Sequence, residues 1–190
     1  LSPPNEIVIN RWENQTCSDG DMRVSRSIGN TWMLTVENVS EHEKSVQVRV
    51  PRWAELTSHQ ASDGWLTLTL PPSHTVELHA HVPMRVTPYR STTDHHGQII
   101  QSRDYVYVSL GPYVYATGLI DGYKTSEVFR IAKLFAENSF RVDYENSPDD
   151  LPNIWLLETG RDPVLMRPYY EAGGRHDGAW RATWLEVAWQ

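Results

Sequence analysis

The sequence predicts an all-β fold, an antiparallel β-sandwich arranged as one or two small sandwiches with one short helix. Three observations predict it: apolar and polar residues alternate in many segments, turn-forming residues separate those segments, and one stretch has a helical period. The chain has 190 residues, enough to bury a core. Its eight Trp and nine Tyr supply large apolar surfaces, which argues against disorder.

Four segments in the first half of the chain alternate apolar and polar side chains: 31–37, 45–50, 65–70 and 75–82. Successive side chains of a strand point to opposite faces, so each segment predicts a strand with one buried face. Half-buried strands of this kind are typical of antiparallel sheets that stack as a sandwich. The turns between them contain Asp19-Gly20, Gly29-Asn30, Asp63-Gly64 and Pro71-Pro72.

A polar stretch at 94–97 follows Pro88 and indicates a domain boundary. We therefore expect a first sandwich over 1–88 and a second over 89–190. Strands of the second sandwich are predicted at 105–110, 112–119, 139–144, 153–157, 164–170 and 180–189.

The short helix is predicted near 126–137. Val128, Ile131, Ala132 and Phe135 fall at i, i+3, i+4 and i+7, and Thr125 or Ser126 could cap the first turn.

Composition excludes several classes of function. The net charge of −7 disfavours nucleic acid and anionic membranes as partners, and no apolar run approaches about 20 residues. The single cysteine, Cys17, allows neither an internal disulfide nor a thiolate metal cluster. The start at Leu1 is neither an initiator methionine nor a signal peptide, and we expect it to be a cut end.

One group of residues could bind a metal. Glu77, His79 and His81 alternate along one predicted strand and share a face, so they could ligate a divalent ion. The alternative is that they form the solvated face of an amphipathic strand. We expect no cofactor.

Tryptophans are the candidates for carbohydrate binding, because flat aromatic rings stack on the apolar faces of sugars. The candidate residues are Trp12, Trp65, Trp180 and Trp184. Trp180 and Trp184 would share a face if 180–189 formed one strand. The alternative is that these rings pack in the interior.

Catalytic motifs are missing from the sequence. It contains no Gly-x-Ser-x-Gly nucleophile motif and no phosphate-binding glycine loop. Nothing in the pattern singles out a pair of carboxylates for glycoside hydrolysis. We predict no catalytic residue and expect that the chain is not an enzyme by itself.

Four segments in order resemble the C-terminal region of the β-L-arabinofuranosidase family, glycoside hydrolase family 127. They are Val-Arg-Val-Pro-Arg-Trp-Ala at 48–54, the leucine–threonine strand at 66–71 with Val-Pro-Met-Arg-Val at 82–86, the strand pair around Gly111-Pro112 at 105–116, and Arg-Pro-Tyr-Tyr at 167–170. In that family a helical (α/α) barrel carries catalysis and β-sandwiches follow it. The family's zinc-binding cysteines, its cysteine nucleophile and its carboxylates lie in the barrel, and none has a match here.

The resemblance implies a non-catalytic C-terminal module that supports a catalytic domain or oligomerisation. Its expected partner is the (α/α) barrel of a parent glycosidase, with polysaccharide and a second copy of the chain as further candidates. The alternative is an independent carbohydrate-binding module that uses exposed aromatics. Export to the periplasm or the medium is favoured if the parent enzyme degrades polysaccharides.

Overall fold

A computed structural model describes residues 6–17, 20–95, 98–118, 128–131, 136–145, 151–172 and 181–189. The predicted all-β fold is confirmed: within these ranges the chain forms strands β1 to β17 and one short 3-10 helix, Ala136–Ser139. The chain divides into two compact units, Leu1–Pro83 and Met84–Gln190. None of the helical structure in the described ranges is long and apolar enough to cross a membrane.

The first unit contains two sheets. In the three-stranded sheet, β5 (Lys44–Arg49) pairs in parallel with β1 (Glu6–Ile9) and antiparallel with β7 (Trp65–Leu70). The second sheet is antiparallel and has the order β2-β3-β4-β8-β6, with β2 (Gln15–Cys17), β3 (Met22–Ser27), β4 (Trp32–Asn38), β8 (Thr75–His81) and β6 (Glu55–Leu56).

The alternating pattern of the sequence accounts for the core of this unit. Leu34 and Val36 of β4, Val46 and Val48 of β5, and Leu78 of β8 are fully buried. The polar side chains between them lie on the opposite faces, as the period of two requires. All four strands predicted in the first half of the chain are therefore confirmed within a residue or two of their predicted bounds.

The second unit contains a nine-stranded sheet. Its main order is β12-β17-β10-β11-β15-β14-β13, while β9 pairs with β10 and β16 pairs with β11. The strands are β9 (Met84–His95), β10 (Gln98–Leu110), β11 (Tyr113–Gly118), β12 (Val128–Ile131), β13 (Phe140–Asp143), β14 (Asn153–Leu156), β15 (Val164–Pro168), β16 (Arg181–Ala182) and β17 (Leu185–Trp189).

A two-residue turn, Gly111-Pro112, joins β10 to β11, and Leu110 pairs with Tyr113 across it. Gly111 has a φ of 57°, which an L side chain adopts only with strain. The proline ring fixes the next φ near −65°, so the turn has the positive-then-negative pattern of a type II′ hairpin. The Gly-Pro pair therefore reverses the chain between two paired strands.

The predicted helix near 126–137 is wrong where the structure describes it. Residues 128–131 form β12, which pairs in parallel with β17, and Phe129 and Ile131 are buried on one face. Residues 126–127 and 132–135 lie outside the described residues. A tertiary pairing overrides the local helical period here, and in the described part of this segment the helical residues belong to Ala136–Ser139, a single 3-10 turn.

The domain boundary predicted after Pro88 falls inside a strand. β9 runs from Met84 to His95, so the polar residues near 94 end a long strand. The two compact units divide between Pro83 and Met84.

Candidate functional site

The three candidate metal ligands lie along β8. Glu77 Oε2 is 3.5 Å from His79 Nε2, and Glu77 and His81 are exposed. Same-face neighbours on a strand are roughly 6.5–7 Å apart, so three in a row do not converge on one point. No group of three His, Cys, Asp or Glu side chains in the described ranges is placed to hold a metal ion. The metal prediction is unsupported, and these residues form the polar face of an amphipathic strand.

Two of the tryptophan candidates lie in the first unit, and neither offers an exposed platform. Trp12 is only 3% exposed, its Nε1–H donates to the Arg49 carbonyl at 2.9 Å, and its ring contacts that of Trp53 at 6.0 Å. The Trp12 ring is therefore covered and offers no open face for a sugar to stack on. Trp65 begins β7 opposite Arg49 and is half-buried. Trp180 lies outside the described residues.

The remaining candidate, Trp184, belongs to an extended surface of the second unit. In a sheet, directly paired residues place their side chains on the same face. Tyr105 pairs with both Tyr89 and Glu186, and Ser109 pairs with Val114. We call this side of the sheet the outer face; it includes Arg85, Thr87, Tyr89, Arg103, Tyr105, Tyr107, Ser109, Val114, Val128, Arg167, Tyr169, Trp184 and Glu186.

The opposite face of the same sheet is the core of the second unit. Val106, Val108 and Leu110 of β10 are fully buried there, as is Tyr115 of β11. The Tyr115 hydroxyl donates to the Pro152 carbonyl at 2.7 Å, and burial of the ring raises the pKa of that hydroxyl well above its usual range. The large apolar side chains of β10 therefore pack on the face opposite the outer face.

Three rings on the outer face form an aromatic cluster: Tyr89, Tyr107 and Trp184. The Trp184 ring centroid is 5.2 Å from that of Tyr89, with planes at 55°, and 5.0 Å from that of Tyr107, with planes at 72°. Tyr89 is 54% exposed and Trp184 is 47% exposed. The cluster thus shields part of its own surface and leaves about half of two large rings to solvent.

An ion pair borders the aromatic cluster. Arg103 Nη1 donates to Glu186 Oε2 at 2.7 Å. Glu186, and to a smaller extent Tyr105, raise the pKa of the Arg103 guanidinium. The two opposite charges neutralise each other, so this border of the cluster carries little net charge.

A second apolar area lies across β11 and β15, and we call it the docking patch: Val114, Arg167 and Tyr169. Val114 is 39% exposed and Tyr169 is 51% exposed, and the Tyr169 N–H donates to the Val114 carbonyl at 2.8 Å. Arg167 pairs with the buried Ala116. The Nε of Arg167 is buried, and no acceptor within the described residues hydrogen-bonds it.

Of the residues on the outer face, the sequence identified only Trp184 as a candidate for binding. The alternation at 103, 105 and 107 places Arg103, Tyr105 and Tyr107 on one face, and this signal was present in the sequence. The position of Trp184 could not be derived from parity, because 180–189 is not one strand. β16 pairs with β11 and β17 pairs with β10, and Trp184 lies between them.

A solved structure shares the β fold of this chain, whereas comparisons of the sequence found no match. No protein-family model matches the chain, and no curated protein matches it. A solved glycoside hydrolase is similar, with 17% identity and a TM-score of 0.50, over 92% of this chain and 34% of that one. This likeness establishes the β fold.

Two further solved chains belong to glycoside hydrolase family 127, the family that the sequence resembles. A β-L-arabinofuranosidase from Geobacillus stearothermophilus T6 has 16% identity and a TM-score of 0.47, over 99% of this chain and 34% of that one. A β-arabinofuranosidase has 14% identity and a TM-score of 0.43, over 88% of this chain and 32% of that one. The chain spans about a third of the length of each of the three solved proteins.

Proposed function

We infer that this chain is a non-catalytic module of a glycoside hydrolase and that its docking patch packs against the helical catalytic domain. The observation that carries this inference is the docking patch itself: two exposed apolar side chains beside a buried guanidinium nitrogen for which the described part of the chain provides no acceptor. Support for the enzyme class comes from the order of the sequence motifs and from a fold shared with a glycoside hydrolase about three times as long.

Arg167 supports an interface at this position. A buried polar group without a partner costs roughly 1–3 kcal/mol, and such groups are rare in folded proteins. Because this chain already covers the Arg167 Nε, a docked partner supplies a carboxylate or carbonyl acceptor only if the Arg167 side chain moves on docking; that bond would then remove the cost. Arginine and tyrosine together are also typical of the residues that contribute most to protein interfaces.

The solved glycoside hydrolase supports the choice of partner. This chain covers 34% of its length, so the β region accompanies a larger body of protein in that enzyme. A module that supports such a body needs a surface that is apolar and exposed when the body is absent. The docking patch meets that requirement on the side of the sheet away from the core.

The test uses the helical glycosidase domain encoded in the same genome, on the same polypeptide or another. We expect the 190-residue chain to form a one-to-one complex with it in sedimentation experiments, and to hydrolyse no aryl arabinofuranoside alone. Tyr169→Glu places a charge in the patch and should abolish the complex. Val8→Glu is the matched control, because Val8 is an exposed apolar residue on β1, outside the second unit.

Three outcomes would overturn the proposal: no complex with that domain, a complex that Tyr169→Glu leaves intact, or turnover by the purified chain. Self-association of the chain that competes with the helical domain and is lost in Tyr169→Glu would assign the patch to oligomerisation instead.

A further inference from the structure

We propose that the aromatic cluster Tyr89, Tyr107 and Trp184 is a binding site for a single chain of an uncharged polysaccharide. This proposal does not depend on the docking patch, because the cluster lies on β9, β10 and the residue before β17, whereas the patch lies across β11 and β15. Either surface could therefore fail its test alone.

Exposure and position are the first argument for a binding site. The rings point away from Val106, Val108 and Leu185, which are buried on the other face of the sheet. Trp184 and Tyr89 are therefore not needed to close that core, yet both keep about half of their surface in water. Aromatic surface that stays exposed although the core does not need it is available for stacking by a ligand.

The exposed aromatic area of this cluster is comparable to the area of a small ligand. A fully buried aromatic side chain covers roughly 150–250 Å², so the exposed halves of two such side chains amount to roughly 200 Å². One or two sugar rings match this area, and the ion pair of Arg103 and Glu186 limits its extension on one side.

Chemistry identifies the ligand as a sugar. The C–H faces of a sugar ring stack on aromatic rings, while its hydroxyls need donors and acceptors at the ring edges. The cluster supplies the hydroxyls of Tyr89 and Tyr107 and the indole N–H of Trp184. Thr87 adds another hydroxyl, because it pairs directly with Tyr107 on the same face.

The ring angles distinguish between two forms of polysaccharide. Planes inclined at 55° and 72° cannot present one flat surface to a crystalline polysaccharide. Rings inclined in this way present both faces and edges to solvent, which suits a single soluble chain better than a flat crystal surface. Arg103 and Glu186 together add no net charge beside the cluster, which fits an uncharged chain. The exposed Arg85 lies on the same face two residues before Thr87, so the oligogalacturonate probe tests this choice.

The experiment is isothermal titration calorimetry of the 190-residue chain with hexasaccharides of arabinose, xylose and glucose, an oligogalacturonate and insoluble cellulose as probes. We expect at least one neutral hexasaccharide to bind, and Trp184→Ala to weaken it by about tenfold or more through lost ring burial. Tyr89→Ala should also weaken binding. Tyr170→Ala is the matched control, since Tyr170 is exposed but lies outside the cluster.

Trp184→Phe guards against misfolding: it keeps a ring at this position and should retain part of the affinity. The proposal is overturned if no neutral hexasaccharide binds, if only the oligogalacturonate or cellulose binds, or if Trp184→Ala binds as tightly as the wild type. Loss of binding in Tyr170→Ala to the same extent would also overturn it.

Discussion

Replacing Asn38 with alanine tests how the two sheets of the first unit are joined. Asn38 is the last residue of β4 and is fully buried. Its Nδ2 donates to the carbonyls of His42 at 2.8 Å, Leu70 at 3.0 Å and Pro71 at 2.9 Å. Its Oδ1 accepts from the backbone N–H and the hydroxyl of Ser40. One side chain therefore links the end of β4 in one sheet to the end of β7 in the other.

The cost of Asn38→Ala follows from these bonds. An amide nitrogen has two hydrogens and here faces three carbonyls, so one hydrogen is shared. The contact with the Leu70 carbonyl is buried, and leaving that acceptor unpaired costs roughly 1–3 kcal/mol. The other acceptors are partly reached by water and are worth roughly 0.5–1.5 kcal/mol each. We expect the free energy of unfolding of the first unit to fall by about 3 kcal/mol.

The assay is urea unfolding followed by circular dichroism, with hydrogen exchange at β4 and β7 used to assign the transition of the first unit. A slope of about 2 kcal/mol per molar urea converts the loss into a midpoint lower by about 1.5 M. Asn30→Ala is the control, because Asn30 is exposed in a turn. If Asn38→Ala shifts the midpoint no more than Asn30→Ala does, the reasoning about this buried junction fails.

Four further predictions concern stability. Tyr115→Phe removes the buried bond to the Pro152 carbonyl and should cost roughly 1–3 kcal/mol in chemical unfolding; an increase in stability would contradict this. Burial raises the pKa of the Tyr115 hydroxyl, so the unfolded state loses this proton at a lower pH than the folded state does. The free energy of unfolding should therefore fall as the pH rises above 10.0, and it should fall less steeply in Tyr115→Phe. Gly111→Ala should cost about 1–2 kcal/mol through its positive φ, and a neutral effect would argue against the type II′ turn. Asp21→Asn should destabilise the first unit by about 1–2 kcal/mol, because Asp21 Oδ2 lies 2.6 Å from Nζ of the largely buried Lys44. An unchanged free energy of unfolding would show that water replaces the carboxylate.

Alternation made the first unit predictable from sequence. β4, β5, β7 and β8 each bury one face, and a period of two is the direct signature of that arrangement. The segment around β12 shows where this signal fails. Val128 and Ile131 fit a helical period, while Phe129 and Ile131 fit a strand, and the parallel pairing with β17 decides between them. Such a pairing depends on residues about 60 positions away in the sequence, which local periodicity does not report.

The candidate site was less predictable, because burial of an aromatic ring depends on its neighbours across the sheet. Trp12 is covered by its contact with Trp53 and by its own hydrogen bond to Arg49, and neither contact is visible in a local pattern. Trp184 was identified as a candidate, but its partners Tyr89 and Tyr107 come from two other strands and required the register of β9 and β10.

Hydrogen exchange with and without the helical glycosidase domain of the same genome tests the accessory role most directly. In the complex, we expect the backbone amides around Val114 and Tyr169 to exchange more slowly, while those of β3 and β8 in the first unit keep their rates. Protection confined to the first unit, or no change in exchange anywhere in the chain, would contradict the proposed docking.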